Sequence, residues 1–262
     1  MSSRTIAFVL ASTAQGTLIV NRLDHYKAER AEWGVGFELL RDGSFSATEV
    51  GLCLAMLKQR RQHFGDGVFA IDCGANIGVH TIEWARLMSG WGEVLSIEAQ
   101  ERIFYALCGN IALNNCFNAR AMHAAVGESE GEILVPTLNY LKPSSFGSLE
   151  LRPGPQNEPI GQSVSYHAKD AKPVKLLSLD SLGLTRLDLI KIDIEGMEEE
   201  ALSGAKRQIE TFRPILLVER IKSRSDVLDH FFNRYGYKKF HVGMNDLAIH
   251  RDDPSLQAIR VA

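Results

Sequence analysis

Apolar and polar positions along this chain fall into two periods that alternate from about residue 68 onward. Val68-Phe69-Ala70-Ile71-Asp72 and Val94-Leu95-Ser96-Ile97-Glu98 are short apolar runs ending in an acid, the pattern of parallel strands buried on both faces. Between and after them, Ile77, Thr81, Ile82 and Ala85, and then Phe104, Leu107 and Ile111, fall at helical spacing. The pattern predicts strand 68–72, helix 77–89, strand 93–98, helix 101–114 and a strand near 119–125. Strands near 132–135 and 174–178 come next. Strand 187–193, a helix 197–209, strand 215–219, another helix and a closing strand pair around 238–250 complete the chain. Such alternation predicts an α/β fold, a doubly wound, mostly parallel sheet with right-handed crossovers and an antiparallel edge hairpin.

The first 64 residues read differently, as an N-terminal cap ahead of a main domain at 65–262. Thr17-Leu18-Ile19-Val20 and Gly36-Phe37-Glu38-Leu39-Leu40 look like two short strands of a hairpin, and the first dozen residues look loosely held. Ser46-Ala47-Thr48-Glu49 has the form of a capped helix start, continued by Val50, Leu54, Leu57 and Arg61. Six of the eight prolines lie from Pro136 to Pro173, a stretch without sustained periodicity. A loop this long inside a compact domain is usually functional, and its place late in the α/β unit makes it a candidate substrate lid.

Composition narrows the function classes. A chain of 262 residues, 45% hydrophobic, can bury one substantial core. A net charge of -3 supplies no general basic field for nucleic acid or anionic membrane, and no apolar run reaches the roughly 18 residues of a membrane span. Cys53, Cys73, Cys108 and Cys116 form no C-x-x-C pair, so the expectation is reduced thiols in a cytoplasmic protein.

The chemistry concentrates at the carboxyl ends of the expected strands. Asp72-Cys73-Gly74-Ala75-Asn76-Ile77-Gly78 is a small-residue turn through which a ligand can approach the backbone, but its glycines are spaced G-x-x-x-G. Dinucleotide sites use G-x-G-x-x-G, and an aspartate at the strand end repels a phosphate, so the turn suits a cationic, phosphate-free ligand and argues against a dehydrogenase. Glu98 follows Gly78 by 20 residues, where a carboxylate can accept both hydroxyls of a ribose. In Leu187-Asp188-Leu189-Ile190-Lys191-Ile192-Asp193-Ile194-Glu195-Gly196, charges interrupt a buried strand at its end, so they must pair, bind ligand or face a wet crevice. Ile215-Leu216-Leu217-Val218-Glu219 repeats the pattern, and Asp193, Glu195 and Glu219 are expected to converge. A salt-bridge network with Lys191 and Arg220 is the alternative use of those charges.

These segments together resemble an FkbM-type methyltransferase, a branch of the class I, Rossmann-like S-adenosylmethionine-dependent fold. The similarity runs over about residues 45 to 240. It rests on the turn 72–78, Glu98 with Gln100, Asn110 and Asn114, Ala125-Val126-Gly127, Leu179-Asp180-Ser181-Leu182, Leu189 to Glu198 and Pro214 to Glu219. The resemblance implies that Asp72, Gly74, Ala75, Asn76 and Gly78 hold the amino-acid part of S-adenosylmethionine, Glu98 with Ala99 its ribose, and the segment around Ala124 and Ala125 its adenine edge. Asp193 would serve both cofactor and chemistry. It further implies an O-methyltransferase whose partner is a small-molecule or sugar hydroxyl.

Asp193, Glu195 and Glu219 are the expected bases, with His80 an outsider and Lys191 orienting a carboxylate or acting itself if its pKa were depressed. Carboxylates without an H-x-x-H or cysteine set disfavour zinc, and magnesium is the secondary option, with no metal ligand assigned. A non-catalytic S-adenosylmethionine-binding protein is the competing function, and homo-oligomerisation is left open. A DNA amino-methyltransferase should carry a D-P-P-Y-like tetrapeptide, which Asp193-Ile194-Glu195-Gly196 is not.

Overall fold

The computed structural model describes residues 5–28, 32–155 and 157–259. The N-terminal part comprises β1 (Phe8–Thr13) and β2 (Gly16–Asn21), paired antiparallel, and the two-residue pieces β3 (Tyr26–Lys27) and β4 (Glu32–Trp33). Helices α1 (Val35–Asp42) and α2 (Ala47–Phe64) follow. Two expectations fail here. Phe8–Thr13 is a paired strand rather than a loose lead, and Gly36–Leu40 is helical, because Val35, Leu39 and the Gly43 left-handed stop impose a short helix on an apolar run too brief to declare its period.

The main sheet contains β5 (Val68–Cys73), β6 (Gly92–Glu98) and β7 (Ala119–His123), joined by α3 (Val79–Leu87) and α4 (Glu101–Leu113). A small side sheet of β8 (Ala125–Val126), β9 (Gly131–Pro136) and β10 (Ala171–Leu177) leads to β11 (Leu189–Ile192). Then come α5 (Glu198–Ser203), α6 (Lys206–Phe212), β12 (Ile215–Glu219), α7 (Ser225–Arg234), β13 (Tyr237–Val242) and β14 (Asn245–His250). The helix expected over 197–209 is broken at Gly204, where a Cβ would meet the Gly127 carbonyl oxygen at 2.2 Å.

The seven main strands order as β13-β14-β12-β11-β5-β6-β7. Strands β5, β6, β7, β11 and β12 run parallel, and β14 enters antiparallel to both β12 and β13, giving the expected edge hairpin. From β5 the chain moves outward to β6 and β7, then returns to β11 and leaves the other way. The order therefore reverses between β5 and β11, where open α/β sheets form their crevice.

Strand alternation divides the core in two. Val68, Ala70, Val94, Leu189, Ile215 and Leu217 pack with Val50, Leu57, Ile82 and Ile103 of α2, α3 and α4, whereas Ile71, Leu95, Ile190 and Val218 pack with Ala201, Ile209 and Leu228 of α5, α6 and α7. The first cluster also contains Leu18 and Leu39, so the N-terminal part shares one continuous core with the main sheet. At the carboxyl ends the same period-2 face changes character. Asp72 continues Ala70, Ser96 and Glu98 continue Val94, Lys191 continues Leu189, and Glu219 continues Leu217, which brings these side chains to one side of the sheet. No helix among the described residues is long and apolar enough to cross a membrane.

Candidate active site

A cavity of about 480 Å³ opens over these strand ends. This is the size range of small-molecule and cofactor sites. Its floor is the turn after β5. Gly74 has φ +75, and a Cβ there would meet the Asp193 carbonyl oxygen at 1.8 Å, so only glycine lets the β5 and β11 loops touch. Asn76 takes φ 51 and caps its own turn by accepting the Ile77 N–H at 2.7 Å.

Glu98 stands at the β6 end of the cavity. One carboxylate oxygen accepts the Asn76 N–H at 2.9 Å and the other the Gln100 N–H at 2.8 Å. Burial pushes its pKa up to about 7, with those N–H donors and that of Ala99 working in the opposite direction. Ile97, Ala99, Ala124, Ala125 and Val126 form an apolar wall beside it.

Asp72 does not reach this wall. It is 1% exposed, accepts the Thr81 hydroxyl at 2.7 Å and lies 3.9 Å from Lys191 Nζ, so it organises the underside of the turn. Gly78 is likewise behind the wall, against Leu107. Of the sequence-derived cofactor set, Gly74, Ala75, Asn76, Glu98, Ala99, Ala125 and Asp193 line the cavity, and Asp72 and Gly78 support it.

The β11 and β12 end is crowded with charge. Asp193, Glu195 and Glu219 each place a carboxylate oxygen within 4.8 Å of the others. Lys191 donates to Asp193 Oδ2 at 2.8 Å, and Lys222 pairs with Glu195. Burial opposes the Lys191 charge, but Asp193, Asp72 and Glu49 outweigh it and raise its pKa. Lys191 is thus a fixed cation paired with Asp193, and the depressed pKa that it would need to act as a base is not found. Burial pushes Glu195 up to about 8, with Lys222 opposing and Asp193 reinforcing the rise. Burial, then Asp193, Glu195 and Glu198, push Glu219 up to about 9, and its buried Oε2 has no hydrogen-bond partner among the described residues. Beneath them Glu198 accepts the Ile194 N–H at 3.0 Å and the Gly196 N–H at 3.1 Å, and the Ser223 hydroxyl at 2.9 Å. This holds the loop in which Glu195 adopts φ 57.

Several wall residues escaped the sequence reading. The glutamate of the expected capping signal does not cap: Ser46 sits in a left-handed conformation without a side-chain cap, and Glu49 instead accepts from Asn245 Nδ2 at 2.7 Å. Glu49 Oε1 also stands 3.1 Å from His80 Nε2, at pairing distance but without hydrogen-bond alignment. Burial works against Glu49's charge, yet His80, Lys191 and Asn245 together hold its pKa below the ordinary value. His80, the outsider among the expected bases, is buried in the cavity wall.

Trp33, Val35 and Phe45 bring the N-terminal part into the wall, and Ser145, Gly147, Ser148 and Leu149 bring in the long proline-rich segment. That segment is anchored. Buried Phe146 donates its N–H to Asp24 at 2.9 Å, its carbonyl accepts from Gln100 Nε2 at 2.7 Å, and Tyr140 donates to Gln100 Oε1 at 3.0 Å.

Comparison with known proteins places this arrangement. The family model described as the methyltransferase FkbM domain matches residues 72–239, which is more than half of the chain. The chain belongs to the FkbM methyltransferase family. Methyltransferase 1 of Beauveria bassiana (strain ARSEF 2860) is 26% identical over 172 residues, covering 62% of this chain and 68% of that protein. Methyltransferase sdnD of Sordaria araneosa is 26% identical over 163 residues, covering 53% of this chain and 61% of that protein. Methyltransferase FkbM from Methylobacillus flagellatus KT overlays with a TM-score of 0.49 at 19% identity, covering 75% of this chain and 48% of that one. The chain thus spans less than half the length of that solved structure. Within this FkbM-family methyltransferase, Glu49 and Asn245 lie outside the matched residues and still reach the cavity.

Proposed function

We propose that this protein transfers a methyl group from S-adenosylmethionine to a hydroxyl of a small molecule or sugar. The observation that carries the reading is the placement of Glu98 and the Asp193, Glu195, Glu219 group at opposite ends of one cavity across the switch point. Between β6 and β12 lie three strand spacings, about 14 Å. A nucleoside whose ribose is held by Glu98 leaves the β12 end for the acceptor.

The residues present fit that cofactor. The cavity offers carboxylates to a cation, an apolar wall to a flat base, and the turn Gly74 to Asn76, which lines it, to an amino-acid tail. When bound, S-adenosylmethionine supplies an electrophilic methyl on a sulfonium. Glu98 accepts from the ribose hydroxyls with the lone pairs that Asn76 and Gln100 leave free. Ile97, Ala99 and Val126 exclude water from the base. Asp193, held by Lys191, orients the acceptor hydroxyl and takes its proton. Glu195 and Glu219 belong to the same site and share its charge. The four free thiols support a cytoplasmic setting.

The test is incubation of a host extract and a panel of hydroxylated acceptors with isotope-labelled S-adenosylmethionine, read by untargeted mass spectrometry. A labelled O-methyl product supports the reading. Cofactor binding without any labelled product makes the chain a non-catalytic S-adenosylmethionine-binding protein instead.

A further inference from the structure

The side of the cavity next to β14 carries polar groups that methyl transfer itself does not use. Glu49, from α2, gives Oε2 to Asn245 Nδ2 at 2.7 Å, and its Oε1 faces His80 Nε2 at 3.1 Å without hydrogen-bond alignment. His80 is 6% exposed, packs edge-on against Trp84 and lines the cavity, yet its Nε2 has no hydrogen-bond partner among the described residues. A ring nitrogen buried in that position is costly unless something that enters the cavity completes it. We infer that Glu49 and His80, braced by Asn245, bind a second hydroxyl of the acceptor and so select an uncharged, polyhydroxylated molecule. The inference rests on the methyl-transfer reading and names the acceptor class for it.

The chemistry of the pair fits a hydroxyl. A hydroxyl both donates and accepts, so it can donate to Glu49 Oε1 while its oxygen accepts from His80 Nε2–H. An ammonium group would satisfy Glu49 and leave His80 facing a second donor. Glu49 is ready to accept, because His80, Lys191 and Asn245 hold its pKa below the ordinary value in spite of burial. Position agrees with this role. Asn245 lies opposite Glu219 in the β12–β14 ladder, one strand spacing of about 4.8 Å away. Lys191, which pairs with Asp193, also acts on Glu49. The anchor therefore stands beside the Asp193 group, within reach of two hydroxyls on one ring. Phe45 and Met244, neighbours of Glu49 and Asn245 in the chain, line the same cavity and offer apolar surface to the ring's C–H face. A charged acceptor is turned away. No arginine among the described residues lines the cavity, and its two lysines are already paired with Asp193 and Glu195, so a phosphate or carboxylate finds both ammonium groups taken and acids in excess. Glu49 and Asn245 lie outside the residues that define the family match, which suits a role in choosing the acceptor rather than in the shared reaction.

The experiment incubates the full chain with host extract and isotope-labelled S-adenosylmethionine, follows label incorporation as the extract is diluted, and identifies the product by mass spectrometry. Wild type, Glu49→Gln and His80→Phe are compared, and each is titrated calorimetrically with S-adenosylmethionine. The expected product is uncharged and keeps a free hydroxyl on the methylated ring. Glu49→Gln should need about tenfold more extract or higher to reach half its maximal rate, and His80→Phe about fivefold, the ranges for one lost hydrogen bond to a charged and to a neutral group. Maximal rate and cofactor affinity should stay within about twofold, as for a group that only binds the acceptor. Thermal melting checks that the variants fold, and the product tests the acceptor class without either of them. Unchanged half-saturation in a folded variant overturns the anchor. So does a fall in maximal rate or in cofactor affinity alone, which would make the pair a support of the cavity. A labelled product that carries a phosphate, carboxylate or amine, or no hydroxyl besides the methylated one, overturns the anchor and leaves methyl transfer standing. Cofactor binding without any labelled product overturns the methyl-transfer reading, and the anchor falls with it.

Discussion

The two ends of the cavity hold their acids in opposite ways. At the β6 end, each oxygen of Glu98 receives a backbone N–H from its own turn or the adjacent one, so the carboxylate is fixed before any ligand arrives. At the β12 end, three carboxylates crowd together, two of them held by lysines, and Glu219 Oε2 has no donor among the described residues. Main-chain donors make a rigid receptor for hydroxyls, while crowded side chains make a site whose charge depends on what enters it. The first end is suited to recognition, the second to chemistry.

The largest effect that separates the ends belongs to Asp193. Asp193→Asn keeps the shape and removes the acceptor of the hydroxyl proton, so methyl transfer should fall by about 10² to 10⁴. Cofactor binding through Glu98 should survive, and melting should fall only as far as the buried Lys191 misses its paired charge. Labelled-methyl transfer and calorimetry on the same preparation check this, and wild-type turnover would remove Asp193 from the chemistry.

Next is Glu98→Ala, which strips two backbone N–H groups and the ribose of their acceptor. Binding of S-adenosylmethionine should weaken by about 1.5 to 3 kcal/mol, the range for hydrogen bonds to a charged group. Turnover at saturating S-adenosylmethionine should change far less, because the Asp193 end is untouched, and an equal loss there would mean that the ends are not independent.

Acidity offers a subtler contrast. Without ligand, burial and mutual repulsion hold Glu195 and Glu219 well above the ordinary carboxylate range, and a cation bound beside them favours loss of their protons. S-adenosylmethionine affinity should therefore rise between about pH 7 and pH 9, by up to about tenfold per unit for each proton released. Stability without ligand runs the other way. Folded-state values near 6 for Asp24, 7 for Glu98, 8 for Glu195 and 9 for Glu219 all exceed the ordinary 3.8 or 4.5. The folded chain thus holds more protons than the unfolded one, and denaturant midpoints should fall as pH climbs from about 5 to about 9.

The smallest effect is expected at the anchor of the wall. Asp24 accepts the Gly36 and Phe146 N–H groups and ties the N-terminal part to the proline-rich segment. Burial, helped by Glu38, pushes its pKa to about 6 against those two bonds, which fall on different oxygens, so Asp24→Asn keeps one acceptor, sets its amide NH₂ against the other N–H and relieves part of the burial cost. A loss of about 1 kcal/mol in unfolding free energy is expected.

How much of this was legible in residue patterns follows from range. The parallel strands and their acidic ends declare themselves through local period and length, so β5, β6, β11 and β12 emerge within a residue or two of their observed bounds. The convergence of Asp193, Glu195 and Glu219 follows from strand ends lying side by side, and the structure brings them together. What stayed hidden depends on which way a side chain turns. Asp72 is taken up by the Thr81 hydroxyl and stays out of the cavity, although Glu98, Lys191 and Glu219 on the same period-2 face reach it. Glu49 carried a local signal that pointed elsewhere, since a glutamate three residues after a serine reads as a helix cap, and only a contact across 196 residues to Asn245 reveals its use. The short apolar run at Gly36–Leu40 fits a strand or a helix equally, and tertiary packing decided it.

The central claim is that one cavity receives S-adenosylmethionine with its ribose on Glu98. Calorimetric titration of the wild type and of Glu98→Ala with S-adenosylmethionine tests it most directly. The account predicts saturable binding by the wild type and clearly weaker binding by the variant at a temperature where melting shows both proteins folded. No heat of binding at millimolar cofactor, or equal affinity in the two proteins, would contradict it.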